Sequence, residues 1–161
     1  MACTSSVSAA ALTNSTTSPP ASAPGNGWYI NLAASSSTNY AERVITNPLA
    51  AFTGATFFTT FEPSTAACGY SGNSFLWAVN YSTGGSAPAS ALSGTALVQT
   101  STGQVLQVNF DTAFTNNVPS NSTTGQGRTT AAFLGVPPKG QGLSVIIKPR
   151  PLNKVLQIQE K

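Results

Sequence analysis

The chain is 161 residues long, room for one ordinary domain, and only 7% of it is charged, against about 25% in an average soluble domain. Serine (20), threonine (21), alanine (22) and asparagine (12) make up almost half of it, a neutral, hydroxyl-rich composition. Histidine is absent and the four acids are scattered, which argues against histidine catalysis, paired-carboxylate hydrolysis and a carboxylate metal cage.

Residues 1–26 close on Ser18-Pro19-Pro20-Ala21-Ser22-Ala23-Pro24-Gly25-Asn26, the composition of a flexible Ser/Thr/Pro-rich linker. No basic residue precedes an apolar core, so an intact signal peptide is not read here. Either a signal has been removed and Met1 added, or the chain is one piece of a longer protein. A β domain is expected over 27–161. It opens on Gly27-Trp28-Tyr29-Ile30-Asn31-Leu32, and a polar loop follows over 33–39. Next come Glu42-Arg43-Val44-Ile45-Thr46, then Pro48-Leu49-Ala50-Ala51-Phe52, then a strand over 55–62. In that strand Phe57, Thr59 and Phe61 share one face, and Phe58 and Thr60 the other. Gly54 supplies its turn and Pro63 ends it.

The clearest strand covers 74–82, with Phe75, Trp77, Val79 and Tyr81 on one face and Ser74, Leu76, Ala78, Asn80 and Ser82 on the other. Thr83-Gly84-Gly85 is its turn. Residues 96–100 and 104–110 predict a hairpin around Ser101-Thr102-Gly103, and 111–130 a long polar loop. Last strands are expected over 131–136, 143–147 and 155–159. No apolar period of 3.6 residues persists, and no apolar run nears the roughly 18 residues that span a bilayer. The fold class is all-β.

Charge is uneven along the chain. Residues 1–127 hold Arg43 against Glu42, Glu62 and Asp111, a net of −2. Residues 128–161 hold Arg128, Lys139, Lys148, Arg150, Lys154 and Lys161 against Glu160, a net of +5. These bases are dispersed and no nucleic-acid motif accompanies them. They read as a solvated sheet edge that discourages pairing, not as a nucleic-acid surface.

Cys3 and Cys68 match no metal or redox spacing. They are either two unrelated thiols or a disulfide tying the N-terminal strap to the body in an oxidising compartment. The hydroxyl-rich composition favours the disulfide. Asn14, Asn80 and Asn121 open glycosylation sequons, to which no function is attached, since such triplets arise by chance in so Ser/Thr-rich a chain.

The order and spacing of Gly27-Trp28-Tyr29, Glu42-Arg43-Val44 with Pro48, Phe57-Phe58-Thr59-Thr60 with Pro63, Cys68-Gly69 and Thr83-Gly84-Gly85 resembles the C-terminal part of PilY-type proteins. These are type IV pilus biogenesis factors and tip adhesins. The likeness is specific over 27–85 and looser over 86–161, and Ala41 stands where the family usually has glycine. It implies a β-propeller, of which 27–161 would form two to three blades; the alternative is a β-sandwich. It also implies export to the cell surface, and a non-catalytic role in pilus biogenesis and attachment. Implied partners are the remainder of a longer chain, pilus subunits or further copies of itself. Members often carry a calcium loop after a Phe-Asp pair. Here Asp111 is the only carboxylate of that stretch, too few for a calcium site, so no cofactor is expected.

The aromatic residues alternate within strands, so they are expected to pack the sheets and not to form a glycan platform. Glu42 and Arg43, neighbours in a strand, point to opposite faces, and each is expected to pair across strands. Glu62 is expected at a strand end. Ser71-Gly72-Asn73-Ser74 offers hydroxyls without a base to activate them. Three function classes follow: a structural or adhesive pilus component, a self-assembling coat-like β-protein, and a fragment of a quinoprotein-like enzyme. The last is weakest, since ligands for a quinone are missing. Open blades would also leave the chain unstable as a solitary monomer.

Overall fold

The computed structural model describes residues 7–66, 71–114, 127–129, 131–133 and 135–148. They form a mostly β structure. Neither a closed barrel nor a propeller is seen among them, and the expected two to three blades find no support there.

The first sheet is built on a long antiparallel pair, β5 (Ala55–Pro63) and β6 (Gly72–Asn80), in register from Ala55↔Asn80 to Pro63↔Gly72. β3 (Arg43–Val44) and β4 (Leu49–Ala50) pair with β5, and since β6 fills one edge of β5 along its length, they share the other. Pro48 sits in the break between them, where the missing N–H costs no ladder bond. Within the break the Ile45 amide still reaches the Thr59 carbonyl at 2.9 Å, and the Thr46 hydroxyl accepts from Thr59 N at 2.8 Å. A side chain thus stands in for the lost backbone acceptor.

The second sheet has the order β8-β7-β9, from β7 (Gly94–Thr100), β8 (Val105–Asn109) and β9 (Pro138–Ile147), all antiparallel neighbours. A register shift interrupts the β7–β9 pairing between Val98 and Thr100. A four-residue helix, α1 (Phe110–Ala113), follows β8, with the Asn109 side chain capping Asp111 N at 3.0 Å.

One core joins the two sheets. Ala55, Phe57, Leu76 and Ala78 from the first meet Ala96, Val98 and Leu143 from the second and Phe110 and Phe114 from α1 and its C-cap. The Phe57 and Phe110 rings stack with centroids 5.2 Å apart. Ser74 to Val79 are all buried, so β6 is covered on both faces. The second face carries Phe75, Trp77 and Val79, with Phe58 stacked on Trp77 at 5.7 Å. Tyr81 lies beyond the strand end and is exposed, contrary to its expected place on that face.

Part of the segment expected to be a flexible linker is packed. β1 (Thr13–Asn14) pairs in parallel with β2 (Trp28–Tyr29), all that becomes strand of the expected run from Gly27. Ser15 and Thr16 are buried, with Ser15 Oγ donating to the Thr83 carbonyl at 2.7 Å and Thr16 Oγ1 accepting from Asn31 N at 2.8 Å. Hydroxyls that composition assigns to solvent here satisfy backbone groups. The expected strand over 131–136 is reduced, among its described residues, to a single bridge between Phe133 and Ser74. The expected strand over 155–159 lies outside the described residues, as do Cys3 and Cys68.

Candidate functional site

The densest polar constellation lies on the second face of the first sheet. The register Arg43↔Phe61 and Val44↔Thr60 places Glu42 beside Glu62, two like charges in cross-strand neighbourhood, an arrangement that is destabilising by itself. Both are buried, with 5% and 8% of their surface exposed. Arg128 resolves the conflict. It bridges backbone to backbone with Trp77, which puts its side chain on the same face, and its NH1 lies 3.2 Å from both Glu42 Oε2 and Glu62 Oε1. Its guanidinium carbon sits 3.8 Å above the Phe75 ring centroid, a cation–π contact shielded from water. Arg128 Nε is buried with no acceptor among the described residues, so the fit carries a cost.

Glu42 is the hub of the cluster. Its Oε1 accepts from Thr60 Oγ1 and from Trp77 Nε1, the latter at 2.9 Å. Its Oε2 accepts from the Ala33 amide at 3.2 Å and from Arg128. One carboxylate thereby ties together the 33–42 loop, β5, β6 and the Arg128 stretch. With both oxygens engaged and the side chain fully buried, Glu42 has neither a free lone pair nor access for a substrate. What this arrangement does is hold segments in place.

Glu42 and Arg43 do part to opposite sides, as strand neighbours should. Glu42 pairs across strands, whereas Arg43 is exposed. Val44 is exposed as well, on the same edge. Phe57 and Thr59 face the common core, while Phe58 and Thr60 face the cluster, and Pro63 accepts at its carbonyl from Tyr40 N at 2.8 Å. Sequence shows the cluster only in part, because Arg128 reads as one base of a solvated edge, whereas it stands between Glu42 and Glu62. The available signal is scarcity: in a chain with four acids, any buried one needs a cationic or multiple-donor partner.

A second constellation joins the opening and closing motifs of the 27–85 stretch. Trp28 Nε1 donates to the Tyr81 carbonyl at 2.9 Å, and its ring lies against Gly84. Gly84 has φ +70°, and a Cβ there runs into that ring. Gly85 closes the turn by accepting from Asn80 N at 2.8 Å, and the Thr83 hydroxyl accepts from Gly85 N. Gly84→Ala is therefore expected to cost about 1–3 kcal/mol and to move Trp28 off the turn. Thermal melting followed by tryptophan emission checks this. An unchanged midpoint and spectrum contradict it.

Asp111 stands in the first turn of α1, 3.6 Å from Lys148 Nζ, an exposed pair. The polar stretch that follows from 115 lies outside the described residues. An apolar groove of about 330 Å³ runs between β4 and the end of β9, lined by Leu49, Phe52, Phe57, Val145 and Ile147. No helix among the described residues is long and apolar enough to cross a membrane. Comparison with protein-family models, curated proteins and solved structures finds no match to this chain.

Proposed function

We propose that this chain is a non-catalytic structural or adhesive β-module of a type IV pilus system, displayed outside the cell as part of a longer PilY-type protein. One observation carries the reading: the motif segments that resemble that family lock onto one another. Trp28 packs on Gly84, and Glu42 bonds Thr60 on β5 and Trp77 on β6. Residues that recur for folding, and not for chemistry, are expected to interlock in this way. The buried ends of these side chains leave no reactive group presented in a cleft. A two-sheet unit of this kind fits the β-sandwich alternative and would serve as a rigid display element. Deleting the coding region in the cell of origin and imaging surface pili tests the proposal. Loss of extended pili or of attachment, restored by the intact gene, supports it, and unchanged piliation and attachment overturn it.

A second reading, self-assembly into a coat-like layer, is favoured by the edge formed by β3 and β4. Val44 and Leu49 are exposed there, and Phe52 beside them is 91% exposed at the mouth of the apolar groove. Under this reading the purified chain sediments as a concentration-dependent oligomer, and Phe52→Ser returns it to monomer with its melting midpoint unchanged. A wild-type chain that stays monomeric at micromolar concentration removes that reading.

A further inference from the structure

Among the described residues, no regular strand covers the outer edge of β6. Three short stretches touch it through single bridges, at Ser86, Arg128 and Phe133. At the middle one, Ala78 N donates to the Gly127 carbonyl at 2.6 Å and Thr129 N donates to the Leu76 carbonyl at 2.8 Å. The Leu76 amide donates to the Thr129 hydroxyl at 3.3 Å. So short a ladder does not hold by backbone bonds alone. Gly127 also has φ +80° with Ala78 O 2.8 Å from where a Cβ would sit, so the stretch is fitted closely to this edge. What fastens it is the Arg128 side chain, between Glu42 and Glu62 and over Phe75.

Groups other than the plug also hold the socket. Glu42 and Glu62 are placed by the β3–β5 register, and Glu42 is fixed further by Thr60, Trp77 and Ala33. With the Arg128 stretch withdrawn, two carboxylates would stand side by side on this face of the sheet, next to the Leu76 and Ala78 edge groups that the stretch had paired. We propose that the outer edge of β6 is a strand-accepting site selective for an arginine-bearing segment, and that the Arg128 stretch is its self-supplied, autoinhibitory occupant. The external occupant is the same stretch of a second copy, which carries the identical complement to the socket. Exchange of this stretch between copies links chains without any new surface.

Amide hydrogen exchange on the whole chain tests this. Ala78 N–H faces the outer edge, whereas the alternation of an antiparallel strand turns Trp77 N–H toward β5. In Arg128→Gln, exchange at Ala78 is expected to rise on the order of a hundredfold while Trp77 stays as slow as in the wild type. A synthetic peptide with the sequence of residues 125–131, at millimolar concentration, should slow Ala78 exchange again, and the same peptide with glutamine for arginine should not. Ala78 and Trp77 rising together, neither rising, or both or neither peptide protecting overturns the proposal. Should Arg128→Gln fail to fold, Glu62→Gln keeps the Glu42–Arg128 pair and should raise exchange at Ala78 alone, on the order of tenfold. No change at Ala78 in that variant also overturns it.

Discussion

Glu42→Ala is expected to lower the unfolding free energy by about 3–5 kcal/mol, a large share of the 5–15 kcal/mol that holds a typical domain. The size follows from what the carboxylate receives. Four donors converge on it, from Ala33 N, Thr60 Oγ1, Trp77 Nε1 and Arg128 NH1. Truncation leaves the indole N–H with Thr60 Oγ1 as its remaining acceptor, at 3.1 Å, and leaves Arg128 to Glu62 alone. Glu62 is the internal comparison. Its carboxylate is bonded to Arg128, and its side chain is 11% exposed where that of Glu42 is fully covered. Glu62→Ala should therefore cost less, about 1–3 kcal/mol, and it relieves the like-charge neighbourhood as it does so. Urea unfolding of both variants gives the comparison. Equal losses would mean that Glu42 acts only through Arg128, and that its bonds to Trp77, Thr60 and Ala33 contribute nothing.

Strand content was legible where alternation was strong. The strand expected over 55–62 and the one over 74–82 are found as β5 and β6, displaced by a residue or two at their ends. The expected hairpin around Ser101-Thr102-Gly103 is found as β7 and β8. These segments carry β-branched and aromatic residues between turn glycines, so local preference and tertiary pairing agree. Sheet arrangement was not legible. Face-to-face packing depends on which side chains meet across the sheets, as Phe57 and Phe110 do, and no local pattern encodes that. The packing of Ser15 and Thr16 was hidden by composition, since serine and threonine satisfy backbone groups in a fold as readily as they face water. Of the candidate site, Glu42, Thr60 and Trp77 lay within segments read as strands or motifs, whereas Arg128 lay in a stretch read as loop. Its role rests on the Trp77–Arg128 bridge, a contact that sequence spacing does not reveal.

The reading of the aromatic residues as sheet packing and not as a ligand platform rests most heavily on Trp77, which is wholly buried. Trp77→Ala is expected to lose about 4–5 kcal/mol, from the transfer of a large ring and from the cavity left against Phe58 and Arg128. Trp77→Phe separates the two contributions. A phenyl ring keeps the stacking partner for Phe58, now 5.7 Å away with an 8° interplanar angle, but it removes the indole donor to Glu42. That change should cost about 1.5–3 kcal/mol, the range for one hydrogen bond to a charged acceptor. Chemical denaturation followed by circular dichroism reads both variants, because each removes one of the two tryptophans and fluorescence would then report Trp28 alone. If Trp77→Phe were as damaging as Trp77→Ala, the polar bond to Glu42 would outweigh the ring packing. If both melted like the wild type, the second face of the first sheet would not be a core at all. Its row of Phe75, Trp77 and Phe58 would then be free to act as a stacking surface, reversing the assignment of these rings to the interior.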